Sequence, residues 1–203
     1  KHVLKNQNEL NQINVFPVSD KDTGTNLAST IRSVIDNIKP NKSYKATIND
    51  IADAALIGAR GNSGVIFAQF FYGLNQETNH SHEITPKEFV KSVKGAIPYI
   101  YESVANPVEG TILTVIKDWS NFLDSSIDAF HDFQKVMNDS IKVLEKSLFE
   151  TTSKLKVLNK HGLVDAGAKG FVIFIKGVID LINNKNIRDL SVEVNETISL
   201  VHS

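Results

Sequence analysis

Cysteine is absent from the 203 residues, which excludes disulfide frameworks and thiolate metal sites and agrees with an intracellular setting. Neither sign of charge dominates: 22 Lys and Arg stand against 23 Asp and Glu, a formal net charge of -1. Such a balance gives no basic footprint for a phosphate backbone or an anionic membrane, so no nucleic-acid partner is expected. Long apolar runs are missing too. The longest, FVIFIKGVIDLI at 171–182, is interrupted by Lys176 and Asp180 and is too short to span a membrane. No secretory leader is visible, and because the chain opens on Lys1 this decides nothing about upstream sequence. Strand-like alternation is scarce as well.

What the chain does have is enough apolar surface for one core: hydrophobic residues make up 41% and charged residues 22%, the profile of a single globular domain. Most of its length repeats apolar residues every three to four positions, so an all-α fold is expected. Leu27, Ile31, Val34, Ile35 and Ile38 make one stripe that Pro40 ends, and Ile48, Ile51, Ala52 and Ala55 make a second over 47–56. Residues 62–74 are apolar around much of the circumference, as befits a central helix. Thr85-Pro86-Lys87-Glu88 reads as a capping box with proline at the first helical position, opening a helix to about Val104. Further helices are expected over 110–124, 127–149, 151–158 and from about Asp165 to Asn183. The tail from Asn184 reads as a linker rather than a strand. Trp119, Phe122, Phe130 and Phe133 fall at core spacing, and His80 and His82 sit in a polar surface loop.

The gaps between helices hold the unusual residues. SDKDTGTN at 19–26, GARGNSG at 58–64, NPVEGT at 106–111 and HGLVDAGAKG at 161–170 each place glycine with hydroxyl or amide side chains just before a helix. Free backbone amides and the positive end of the helix dipole favour an anion there, and phosphate is the natural candidate. GARGNSG is no Walker loop, since no Lys-Ser or Lys-Thr follows its last glycine, and an ordinary helix cap explains its spacing equally well. Asp20 and Asp22 can likewise be simple turn and cap residues. Pro17 before them and the helix start Thr23-Gly24-Thr25-Asn26 after them suggest otherwise, because the pair then borders the same amides. Two carboxylates that close repel unless a cation lies between them, and hard oxygen ligands without His or Cys suit magnesium shared with nucleotide phosphates.

NVFPVSDKDTGTN, LIGARGNSGVIFAQ, NPVEGTILTV and GLVDAGAKG, in this order over about residues 5–185, resemble the nucleotide-binding N-terminal domain of the fatty acid kinase catalytic subunit. That domain is itself similar to the L subunit of dihydroxyacetone kinase. The resemblance implies a barrel or bundle of about eight up-and-down antiparallel helices, with ATP held by the loops at one end. It implies that Asp20 and Asp22 are metal ligands in phosphoryl transfer, with Asn14 completing a site for magnesium, two ions in all. Thr23, Gly24, Thr25 and Asn26 would lie beside the phosphates, which Gly61, Asn62, Ser63 and Gly64 would cradle. Thr111 and the turn Asp165, Ala166, Gly167 and Ala168 would flank the nucleotide nearer its base and ribose.

The implied activity is a cytoplasmic ATP-dependent kinase acting on a fatty acid carboxylate that a separate fatty-acid-binding carrier protein presents. A dihydroxyacetone kinase-type transferase and a catalytically impaired nucleotide-binding module are the alternatives. Residues 1–185 would form this domain and 186–203 a linker to further domains, through which a homodimer could form. One departure stands out: the family reads P-D-G-D where this chain has Ser19-Asp20-Lys21-Asp22. If that glycine adopts a positive φ, lysine there is strained by about 1 kcal/mol.

Overall fold

The structure is a computed structural model, and it describes residues 1–39, 41–79, 82–128 and 132–184. Pro40, His80, Phe130 and the tail beyond Asn184, which carry four of the expectations above, lie outside the described residues. Every regular element among the described residues is an α-helix, as the apolar spacing requires. In order these are α1 (His2–Lys5), α2 (Gln7–Gln12), α3 (Thr23–Asn37), α4 (Tyr44–Gly58), α5 (Gly61–Glu77), α6 (Pro86–Glu102), α7 (Ile112–Ser126), α8 (Phe133–Lys154), α9 (Lys156–His161) and α10 (Ala166–Asn183).

Local chemistry sets the boundaries. The capping box of α6 is formed in both directions: Thr85 Oγ1 accepts from Glu88 N at 3.3 Å, and Thr85 N donates to Glu88 Oε2 at 2.8 Å. The stretch 127–158 divides differently from expectation. α8 starts at Phe133 because Asp132 accepts from Lys135 N at 3.2 Å and caps it. It then runs on through Thr151 and Thr152, ending only at the extended Leu155. Thr151 suits this interior because its hydroxyl donates to Leu148 O at 2.6 Å. The short polar helices α1 and α2 were not anticipated, since Val3 and Leu10 are their only buried residues and give no period to read.

The long helices pack in a closed circuit, each against the next from α3 through α8, then α10 against α8 and α3. Short connections make sequential neighbours antiparallel. Seven such helices would leave α3 and α10 side by side and parallel. α1 and α2 lie against both of them, running toward Asn14, and so supply an eighth stave of opposite direction.

Aromatic residues fill the interior. Phe67 and Phe70 of α5, Trp119 of α7 and Phe171 of α10 meet edge to face, with ring centroids 5.6 Å apart for both Phe70–Phe171 and Trp119–Phe171. The indole N–H of Trp119 donates to Ser140 Oγ at 3.0 Å, which ties α7 to α8 without leaving a buried donor unpaired. Phe122 and Phe133 are half-buried against this core. The starts of α3, α5, α7 and α10 all fall at one end of the barrel, where α3 also meets α5 and α7 meets α10.

Candidate functional site

The first motif is a loop clamped from behind. Asn14, only 2% exposed, accepts through Oδ1 from Asp22 N at 3.2 Å and Thr23 N at 3.3 Å. Its amide nitrogen donates to the carbonyls of Phe16 and Val18, at 3.2 and 3.3 Å. One turn back along the chain, Asn11 accepts from Thr25 N at 3.0 Å and donates to Thr25 Oγ1 at 3.0 Å. Asn11 and Asn14 thus cap α3, and the loop from Asn14 to the start of α3 carries a cis Phe16–Pro17 bond. Asp22 holds the N-cap position of α3 without capping through its side chain. Neither its carboxylate nor that of the exposed Asp20 has a partner among the described residues. Lys21 between them adopts φ 57°, the left-handed region that the family glycine would occupy without strain.

The start of α5 is the opposite case, because nothing caps it. Arg60 precedes the helix without a side-chain bond to its first turn; its guanidinium instead donates to the carbonyls of Ile57 and Ala59. The amides of Gly61, Asn62 and Ser63 have no partner among the described residues. Gly61 has φ 55°, and a Cβ on it would stand 2.3 Å from Asn26 Nδ2, so the first and second motifs are in direct contact.

The third and fourth motifs meet at one carboxylate. Asp165, 5% exposed, caps α10 by accepting from Ala168 N at 2.8 Å, and with the same Oδ2 accepts from Ile112 N at 3.1 Å in the first turn of α7. Its own amide donates to Thr151 Oγ1 at 3.0 Å. Burial pushes its carboxyl up to about 6, against the lowering effect of the two amide bonds. A Cβ on Gly167 would lie 3.3 Å from Ser63 Oγ and 3.4 Å from Ile112 Cβ, so the starts of α5, α7 and α10 converge.

Between them opens a cleft of about 540 Å3, open solvent included. Thr23, Asn62, Ser63, Thr111, Asp165 and Gly167 line it from the four motifs. Phe16, Pro17 and Ile66, with Val104, Val108 and Leu113, supply its apolar lining. The wall at 104–111 is braced by Glu109, whose carboxylate accepts from Lys117 Nζ at 2.7 Å, Tyr101 Oη at 3.0 Å and the Thr114 hydroxyl. Chiefly because of the Lys117 bond, and then that of Thr114, the Glu109 carboxyl is held down at about 2.

Not every anticipated residue faces this cleft. Asp20 and Asp22 border it on the loop between the lining residues Pro17 and Thr23. Gly24 and Gly64 are buried in helix contacts, against Gln7 and Thr30, and Ala166 is buried as well. Thr25 turns its hydroxyl toward α2, Asn26 packs on Gly61, and the Asn14 oxygen is engaged by the two loop amides. Among the described residues no three His, Asp or Glu side chains gather as a metal cluster, so a cation here would rest on the aspartate pair together with ligand oxygens. Asn11 and the apolar walls escaped the sequence reading. Asn11 and Asn14 in NQIN, three positions apart and just before the motif, were the available signal.

The chain matches a family model described as the DAK2 domain over residues 17–180, a stretch that contains all the cleft-lining segments from Pro17 to Gly167. An uncharacterized protein of Staphylococcus haemolyticus is 35% identical over 205 residues, covering 99% of this chain and 37% of its own length. One from Mycoplasma genitalium is 34% identical over 187 residues, 88% of this chain and 34% of its own. A third, from Staphylococcus aureus strain USA300, is 32% identical over 188 residues, 92% of this chain and 34% of its own. The chain therefore spans about a third of the length of the curated relatives it matches. With the helical barrel and the family match in agreement, the chain belongs to the DAK2 domain family, the dihydroxyacetone kinase-type nucleotide-binding modules.

Proposed function

We propose that the chain is a magnesium-dependent phosphotransferase domain that takes its phosphoryl group from ATP and passes it to a fatty acid carboxylate presented by a separate binding protein. The observation that carries this reading is the meeting of opposites where the start of α3 packs on that of α5, with Asn26 against Gly61. There α5 offers the uncapped amides of Gly61, Asn62 and Ser63, and Asp20 and Asp22 on the loop before α3 stand without partners. Phosphate oxygens suit the first and a divalent cation the second. Magnesium bound by the two carboxylates would supply charge neutralisation between protein and phosphate. The hydroxyl of Ser63 and the amide of Asn62 can then bond the terminal phosphoryl oxygens as charge develops on them.

A carboxylate acceptor is already ionised near neutral pH and attacks without a general base, which agrees with a cleft whose buried acid, Asp165, has its shared oxygen committed to two amides. Attack breaks the bond between the γ-phosphorus and the bridging oxygen, forms an acyl phosphate and releases ADP. Val18, 63% exposed, and Leu56 and Ile57, 40% and 70% exposed, sit on the segments flanking the mouth and suit the docking of an apolar carrier. The family match itself favours a second acceptor, the hydroxyl of dihydroxyacetone.

Calorimetry with ATP, with and without magnesium, tests the nucleotide site. Asp20→Asn and Asp22→Asn should each weaken magnesium-dependent binding at least tenfold while leaving the melting temperature unchanged or slightly raised. Unchanged affinity in both variants removes the metal assignment. Phosphoryl transfer by the longer protein, assayed with carrier-bound fatty acid and with dihydroxyacetone, decides the acceptor; transfer to dihydroxyacetone alone overturns the choice made here.

A further inference from the structure

One part of the cleft lining is held by a side chain rather than by its own backbone. α6 ends at Glu102, and Val104 N still donates to Tyr101 O at 3.3 Å. The next three residues, 105–107, make no hydrogen bond with any described residue. Bonding resumes at Val108, whose carbonyl accepts from Thr111 Oγ1 at 2.7 Å, and at Gly110, whose amide donates to Thr114 Oγ1 at 2.8 Å. Val104, Asn106 and Val108 of this segment line the cleft. Glu109 ties it down. Its Oε1 accepts from Tyr101 Oη of α6 at 3.0 Å and from Lys117 Nζ of α7 at 2.7 Å, and its Oε2 accepts from Thr114 Oγ1 at 2.5 Å. Thr114 gives its proton to Glu109 and takes one from Gly110 N, so the carboxylate and the glycine beside it share one chain of bonds. The Lys117 and Glu109 side chains remain 37% and 57% exposed, and an ion pair so open to water is weak and easily reversed.

We propose that residues 104–110 form a gate on the cleft and that Glu109 is its latch, a positioning residue. Engaged, Glu109 holds Val104 and Val108 against the bound ligand; released, it lets the segment swing outward and the ligand leave. The inference rests on the nucleotide reading above and adds to it the control of release. The segment is built for such a movement. No hydrogen bond over 105–107 has to break, and Pro107 stiffens the middle so that the piece moves together. Gly110, at φ 84°, supplies the pivot, and a Cβ there would stand 2.6 Å from Lys154 Cβ, which reserves the position for glycine. Other lining residues are fixed more firmly. Asn14 holds the carbonyls of Phe16 and Val18 from behind, Ile66 and Leu113 lie within helices, and Asp165 is buried.

The test compares Glu109→Ala, which removes all three bonds, with Glu109→Gln, which keeps an acceptor oxygen at the same reach. Tyr101→Phe, which removes one bond, repeats the comparison should the alanine variant not fold. Dissociation of magnesium-ATP is followed by stopped flow, affinity for tripolyphosphate, which has no nucleoside to meet the gate, by calorimetry, and exchange of the Gly110 amide reports the latch itself. In Glu109→Ala, ATP should leave on the order of tenfold faster with its association rate little changed. Tripolyphosphate affinity should stay the same and the Gly110 amide should exchange faster, while Glu109→Gln should recover most of the wild-type rate. An unchanged ATP dissociation rate in Glu109→Ala overturns the inference and leaves the nucleotide reading standing. Equal weakening of ATP and tripolyphosphate, the mark of a residue that only supports the fold, overturns it as well. If wild type binds neither ligand, the nucleotide reading fails and the inference with it.

Discussion

Lys21 stands between the two candidate metal ligands in left-handed backbone, at φ 57°. A side chain there costs roughly 1–2 kcal/mol relative to glycine, and no hydrogen bond or ion pair with the described residues offsets it. Lys21→Gly should therefore raise stability by about 1 kcal/mol, read as a higher urea midpoint with unchanged slope. A loss of magnesium-nucleotide affinity in the same variant would show the ammonium meeting phosphate, whereas unchanged affinity would leave the lysine as plain strain. The glycine-to-lysine departure was legible in the sequence; the positive φ was only conditional until the loop geometry supplied it. Asn14 shows the limit of such reading. Its place beside the motif was visible, but its contacts with amides eight and nine residues on depend on how α2 returns to α3.

Each of the four motifs reads as a helix start, because glycine and a hydroxyl, amide or carboxylate precede an apolar stripe, and that much can be read without coordinates. Which helix start borrows its cap from another element cannot. Asp165 reaches an amide 53 positions away, a distance over which residue spacing carries no information. α8 also ran past the expected break, since threonine lowers helix propensity only slightly when its hydroxyl bonds back to the preceding turn. Contact between elements also makes two glycines sensitive. At Gly61 a Cβ would enter left-handed backbone and press on the end of the flexible Asn26 side chain, so Gly61→Ala should cost about 1–2 kcal/mol. At Gly24 the obstacle is the Gln7 carbonyl of α2 at 2.0 Å, which cannot move alone, and Gly24→Ala should cost more, up to about 3 kcal/mol. Thermal melts of the two variants should preserve that order.

Across the whole molecule, Asp165 links stability to pH. Its folded carboxyl titrates near 6, above the ordinary value of 3.8, so the unfolded chain gives up its proton first. Below about pH 3.8 both states are protonated and the group has no effect; between there and about 6 stability falls; above 6 a constant deficit of about 2–3 kcal/mol remains. Asp165→Asn should remove this deficit, so denaturation curves of variant and wild type should coincide near pH 3.5 and separate by pH 7. Closure of the barrel is a second whole-molecule property. Leu10, fully buried on the eighth stave, should cost 2–5 kcal/mol as alanine, as much as a residue of the central helices. The same stave carries Asn11 and Asn14, whose side chains shape the aspartate loop. Whenever the first fourteen residues peel away, the acidic loop loses its template in the same motion. Amide hydrogens at Asp22, Thr23 and Thr25 should accordingly report one common opening free energy in deuterium exchange, that of detaching the segment.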